Sequence, residues 1–188
     1  MKYLTAPLSK DAVSSLKLGD VVCISGPIVT GRDEMHIRAI EYHEAGKEVP
    51  SVIYGSVLYH CGPIMKKDGE KWTVVAAGPT TSARMNKLEP AMIEHFGIRA
   101  IIGKGGMSRE VIDAMRDHGC VYLAATGGAA VSLAESLPKV TGVEWEDLGM
   151  AEAVWKFGAD KLGPLIVAID SKGNSLYEKV TSSLNRNV

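Results

Sequence analysis

Arg99-Ala-Ile-Ile-Gly-Lys-Gly-Gly-Met-Ser108, continuing as REVIDAMRDHGCVYLAATGG to Gly128, is the stretch on which the fold is decided. The apolar run Arg99–Ile102 reads as a short strand, and Gly103-Lys104-Gly105-Gly106 breaks it. A helix then follows, with Ser108 placed as N-cap and Gly119 as its stop. A second apolar run, Val121–Ala125, ends in Thr126-Gly127-Gly128, and an alanine-rich helix follows, ending before Pro138. Strand, glycine turn, helix, strand, glycine turn, helix is the rhythm of parallel strands joined by crossover helices.

The same unit stands immediately upstream. Trp72–Ala77 predicts a strand, Gly78-Pro79-Thr80-Thr81-Ser82 a turn, and the residues up to Phe96-Gly97 a helical segment. Three successive units make an α/β chain with a largely parallel sheet. Ligands of such sheets usually lie beyond the carboxyl ends of the strands, where all three glycine turns fall. The first third adds a strand at Val21–Ser25, a loop, a helix over Asp33–Ala45 stopped by Gly46, and a strand at Val52–His60. Asp68-Gly69 reads as a hairpin turn into Lys71–Ala77. The last third adds a strand at Leu165–Asp170 and a turn at Ser171–Gly173. With 188 residues and no repeat or low-complexity linker, residues 1–188 are expected to form one domain.

Composition excludes more than it selects. Hydrophobic residues make up 46% and charged residues 23%, and the formal net charge is −1, so no overall basic field draws nucleic acid or an anionic membrane. No apolar run reaches the length of a membrane span, and the N-terminus lacks a signal-peptide pattern, which predicts a cytoplasmic chain. Cys23, Cys61 and Cys120 fit neither a disulfide framework nor a zinc spacing. Three distant thiols can converge on an iron–sulfur cluster, but buried hydrophobes are the commoner use of free cysteine.

Five positions stand out chemically. Thr30-Gly-Arg-Asp33 resembles a capping box with Asp in place of Glu. It puts Arg32 in a first helical turn, where the helix dipole disfavours a cation. A solvated arginine accounts for that, and so does a guanidinium gripping a carboxylate. His36 follows one turn later, as a ligand-facing partner or a plain helix histidine. In AGPTTSARMN, Ala77–Asn86, Thr81 or Ser82 can cap a helix, but capping leaves Thr80 and Arg84 unexplained. Lys104 in the GKGG loop supplies a point charge where glycines let a backbone approach a ligand closely. The loop lacks Walker A spacing. It is similar to the Gly-x-x-Gly loop of KH domains, which clamps nucleic acid, although a KH loop joins two helices and this one follows a strand. Two arginines and a lysine beyond strand ends suit a small dianion, either a dicarboxylate or a phosphate.

Taken in order, GRDEMH, GPTTSARM, GKGGM, ATGGAA and AEAVWKFGADKLGPLIVAIDSKGNSLY resemble the β subunit, or C-terminal domain, of class I fumarate hydratases and L-tartrate dehydratases. The resemblance runs from Gly19 to Tyr177. It implies a swivelling β/β/α domain and a hydro-lyase that adds water to fumarate or removes it from L-malate. It also implies a [4Fe–4S] cluster held by the cysteines of a cluster-bearing α subunit, so Cys23, Cys61 and Cys120 are not expected to be its ligands. The implied partners are that α subunit, in a heterodimer or heterotetramer, and a C4 dicarboxylate substrate, with no nucleic acid and no membrane. By the same resemblance Thr80 is the base at the substrate's C3 proton. Arg32, Arg84 and Lys104 are substrate-binding, and His36 joins them with a less defined role. Met35 departs from the small residue usual there, and Cys61 stands where a small residue is usual. A thiol so placed is expected to heighten oxidant sensitivity. L-tartrate dehydratase is the alternative within this chemistry, and a KH-like nucleic-acid binder is the distant one.

Overall fold

The computed structural model describes residues 1–184. It is an α/β structure organised around one long strand. In chain order the elements are β1 (Lys2–Thr5), α1 (Lys10–Ser14), β2 (Val21–Gly31), α2 (Asp33–Glu44), β3 (Val57–His60), β4 (Ile64–Asp68) and β5 (Lys71–Ala76). They continue with α3 (Glu89–Phe96), β6 (Ala100–Gly103), α4 (Arg109–His118), β7 (Val121–Ala124), α5 (Ala130–Glu135), β8 (Lys139–Glu144), β9 (Val154–Ile169) and α6 (Leu176–Leu184). Single 3₁₀ turns cover Ser51–Ile53, Ser82–Met85 and Glu146–Leu148.

The main sheet runs β1-β2-β3-β6-β7-β9-β8, and an additional β2–β9 pairing closes β2, β3, β6, β7 and β9 into a barrel-like ring. Strands β2, β3, β6 and β7 are mutually parallel, while β9 is antiparallel to both β2 and β7. Closure spares the ring strands the edges of an open sheet and leaves β1 and β8 as the strands with one neighbour. Residue alternation then sorts the core in two. Val22, Ile24, Ile28, Val57, Tyr59, Ala100, Ile102, Val121 and Leu123 share one cluster, joined by Leu162, Leu165 and Val167 of β9. Val29, Leu58, Ile101 and Tyr122 point the other way, into a cluster with the helices. The buried helical stripes are Met35, His36 and Ala39 on α2, Glu89, Met92, Ile93 and Phe96 on α3, and Val111, Ile112 and Met115 on α4. This is the spacing of one face of a 3.6-residue helix. Each fully buried Ile, Leu or Phe contributes about 1.5–3 kcal/mol. Two of the helical stripes nevertheless carry a polar residue, His36 or Glu89.

The three strand–turn–helix units are present, and the helix stops at Gly97 and Gly119 are left-handed, with φ 63° and 72°. Three expectations need correction. The first strand does not end at Ser25 but runs through Gly26-Pro27 to Gly31. Bulges against β9 flank Ile24, and Pro27 falls between the last β1 partner, Ser25, and the first β3 partner, Val29, where one flank of β2 has no neighbour. Val52 does not begin a strand, because Ser51–Ile53 is a 3₁₀ turn and β3 starts at Val57. Ser82 does not start a full helix; a 3₁₀ turn covers Ser82–Met85, and α3 begins at Glu89 beside Pro90.

Candidate active site

Four parallel strands end at one rim. Gly31 of β2 is in register with His60 of β3, and Gly103 of β6 with Ala124 of β7. Arg32, Cys61 and Lys104 are therefore the residues that leave the sheet there. The turn after β5 is threaded between two of these ends. Thr80 donates its N–H to the His60 carbonyl (2.7 Å), Lys104 donates to the Thr80 carbonyl (3.3 Å), and Ser82 donates to the Lys104 carbonyl (3.0 Å). Bridges pair Cys61 with Pro79 and Thr81 with Lys104. The Pro79–Ser82 segment thus behaves as a short inserted strand, which fixes Thr80 beside Lys104 through the main chain. The GKGG loop joins β6 to α4, and this strand-to-helix connection differs from the helix-to-helix loop of a KH domain.

Arg32 occupies the cap position of α2 in extended conformation and makes no side-chain cap. The capping box does not form, because Thr30 is turned the other way: its hydroxyl donates to the Ala153 carbonyl and accepts from the Trp155 N–H. Glu152 does the capping instead, accepting from the Glu34 N–H at 3.0 Å. The same carboxylate lies 3.3 Å from Arg32 Nε. A guanidinium and a helix start together hold a carboxylate at this rim. Gly62 is what lets Arg32 lie there, since a Cβ on residue 62 would come within 2.5 Å of the guanidinium. Arg84, half-exposed in the 3₁₀ turn, pairs with Asp33 at 3.0 Å, and Asp33 is the neighbour of Arg32. The structure thus gathers Thr80 with Lys104, and Arg84 with the start of α2 next to Arg32.

His36 departs from the ligand-facing expectation. Its ring is fully buried, with Nδ1 2.6 Å from the Arg32 carbonyl and Nε2 3.0 Å from Glu89 Oε2. His60 Nε2 approaches that oxygen at 3.0 Å as well, although off the line of a hydrogen bond. On its other side His60 Nδ1 is 2.9 Å from Ser82 Oγ, which accepts from the Tyr122 hydroxyl at 2.9 Å. Gly103 leaves room for this junction, because a Cβ there would sit 2.0 Å from Ser82 Oγ.

The electrostatics of the trio divide its two histidines. Burial opposes charge on His36, but Glu89 and the Arg32 carbonyl outweigh it and lift the pKa above 6.5. For His60 burial prevails over Glu89, and the pKa falls below 6.5. Burial pushes Glu89 up, yet the two imidazoles outweigh it and hold the carboxyl below its usual range. These directions favour charge on His36 and Glu89 and disfavour it on His60.

Sequence reasoning missed Glu89, His60, Ser82 and Tyr122 as partners, and Glu152 as a carboxylate at the rim. One sign was available: His36 and Glu89 both lie on the apolar stripes of their helices.

The three cysteines are all buried. The grouping of metal-ligating side chains found among the described residues is His36, His60 and Glu89, with no cysteine in it. The thiols therefore do not make the three-cysteine set that an iron–sulfur cluster needs. Burial pushes the Cys61 thiol up to about 12, although Arg32 pulls the other way, so the expectation of an oxidant-sensitive thiol finds no support. No helix among the described residues is long and apolar enough to cross a membrane.

Comparison with known proteins places this arrangement. The family model described as "Fumarase C-terminus" matches residues 3–180. The chain belongs to that family. A Methanocaldococcus jannaschii protein provisionally named L(+)-tartrate dehydratase subunit beta is 47% identical over 185 residues, covering 98% of this chain and 95% of that protein. The Escherichia coli K12 L(+)-tartrate dehydratase subunit beta is 37% identical, covering 93% and 86%. A Geobacillus stearothermophilus protein provisionally named fumarate hydratase class I is 41% identical over 96% of this chain, which spans 34% of that longer protein. This member of the fumarase C-terminus family is thus of the β-subunit type, and its relatives are named as hydratases and dehydratases.

Proposed function

We propose that the chain is the β subunit of a C4-dicarboxylate hydro-lyase, with fumarate and L-malate as its substrate pair. The observation that carries this reading is the backbone lock of Thr80 against Lys104, at the same rim as Arg32 and Arg84. Malate presents two carboxylates and one C3 proton, and three cations with one hydroxyl meet that demand. Arg32 is suited to one carboxylate, since in this structure it already lies against that of Glu152. Arg84 and Lys104 supply the remaining positive charge. A threonine hydroxyl is a very weak base, so the cations must stabilise the alkoxide as it takes the proton. In the hydration direction Thr80 returns the proton to carbon.

The subunit-type relatives support a two-chain enzyme, a heterodimer or heterotetramer, with the [4Fe–4S] cluster on the α subunit. When bound there, the cluster supplies a Lewis-acidic iron for the substrate's hydroxyl. This chain's part is to bind, orient and move the proton. Cytoplasmic residence belongs to the same proposal.

Thr80→Ala tests the assignment. In anaerobic reconstitution with a cluster-bearing α subunit, it is expected to abolish turnover while leaving assembly intact by size-exclusion chromatography. Retention of a tenth of the wild-type rate argues against Thr80 as the base. The second reading, L-tartrate dehydratase, is favoured by the identity to the M. jannaschii protein so named. It asks for an added partner for tartrate's second hydroxyl.

A further inference from the structure

We infer that Glu89, held between His36 and His60, forms a buried positioning cluster that fixes the main chain of Arg32 and Thr80 and thereby sets the geometry of the rim. The contacts run outward from a shared carboxylate oxygen. His36 Nε2 meets Glu89 Oε2, while His36 Nδ1 and its main-chain N–H both point to the Arg32 carbonyl, at 2.6 and 3.0 Å. His60 Nε2 meets the same oxygen from the other side, and the His60 carbonyl accepts the Thr80 N–H. Through Ser82, which bonds both the His60 ring and the Lys104 carbonyl, the cluster also reaches the GKGG loop. Three of the four residues assigned to the substrate are thus held through main-chain bonds to one buried group.

Partner chemistry dictates the protons. A carbonyl and a carboxylate both ask His36 for N–H, so it carries two. His60 Nδ1 accepts from the Ser82 hydroxyl, which in turn accepts from Tyr122, so the His60 proton sits on Nε2, facing Glu89 without hydrogen-bond geometry. A fully buried ion pair stabilises less than a well-packed apolar replacement of the same volume, and Glu89 Oε1 lacks a hydrogen-bond partner, which adds to the cost. That cost is understandable where directional bonds must hold backbone at fixed angles. The other groups facing the cluster are Asp33 on the first turn of α2, Tyr122 on β7 and Cys120 just before it. The residues are positioning residues, since they act on substrate only through Arg32, Thr80 and Lys104.

The kinetic arm rests on the proposed hydro-lyase reading, whereas the spectroscopic arm does not. Imidazole ¹⁵N NMR on the full chain at about pH 7 is expected to show His36 protonated on both nitrogens and His60 as the Nε2–H tautomer. A neutral His36, or stoichiometric binding of added Zn²⁺ that shifts both Nε2 signals, overturns the cluster as described. In the reconstituted enzyme, Glu89→Gln is expected to lower kcat by about 10- to 100-fold, the range that follows from misplacing reacting groups by an ångström or less. It is also expected to move the alkaline limb of the kcat/KM profile to lower pH, because His36 loses the carboxylate that supports its charge. A purely structural role lowers activity without moving that limb, and an unmoved limb contradicts the inference. Should Glu89→Gln fail to fold, Tyr122→Phe removes only the outer hydroxyl, and an unchanged His60 ring in that variant would count against the cluster's link through Ser82. If no C4 acid is turned over, the hydro-lyase reading fails and the ¹⁵N result still decides the cluster.

Discussion

Arg32 meets a carboxylate that belongs to its own chain. Glu152 lies 3.3 Å from its Nε and also caps α2, so under the proposed function a substrate carboxylate at Arg32 would have to share or displace it. Two opposed effects follow. Arg32→Ala, and likewise Lys104→Ala, should cost about 2–4 kcal/mol, expressed mostly in KM, if each holds a desolvated carboxylate. Glu152→Gln removes the internal competitor, keeps an acceptor for the Glu34 N–H, and should lower KM instead. Steady-state kinetics on the three variants check both signs. Cys61 supplies a contrasting case. Its thiol is buried and its pKa is pushed up to about 12, so Cys61→Ala should leave inactivation by oxidants unchanged. The time course of activity loss under peroxide measures this.

Among the elements, α2 and α3 carry the pH dependence, because each places a polar residue on its buried stripe. His36 titrates above 6.5 in the folded chain. Its contribution to stability is fully present below the unfolded value of about 6.5 and is lost as pH rises through the folded pKa. The unfolding temperature should therefore fall as pH rises above that value, and His36→Gln should flatten this limb, which calorimetry from about pH 5 to about pH 9 would show. These helices also mark where sequence reading stopped. The three glycine-turn units, the hairpin at Asp68-Gly69 and the left-handed stops at Gly97 and Gly119 are local features, and local chemistry revealed them. The cap of α2 was misread because its donor of choice, Glu152, lies 118 residues away from Glu34. Thr30 has the right residue type for that task but serves β9. Ser82 looked like a cap and is instead the junction of His60 and Tyr122. Both errors have one cause: a side chain's partner is set by closure of the ring, which no window of adjacent residues contains.

For the whole molecule, the antiparallel run of β9 along β2 and β7 closes the sheet and holds the carboxyl ends of four parallel strands at one rim. That rim presents Thr80, Arg32, Arg84 and Lys104, while the buried cysteines offer no cluster-binding set. Under the proposed function this surface is half of an active site, which would hold a dicarboxylate against a metal centre carried by another subunit. The assembled enzyme and the acid it turns over therefore decide the assignment. The most direct measurement is anaerobic turnover by this chain combined with a cluster-bearing α subunit, assayed against fumarate, L-malate and L-tartrate. The pair is expected to interconvert fumarate and L-malate and to turn over tartrate more weakly, and this chain alone is expected to turn over none of them. Preference for tartrate would transfer the assignment to the dehydratase, and turnover of none of the three acids by a properly assembled pair would contradict it.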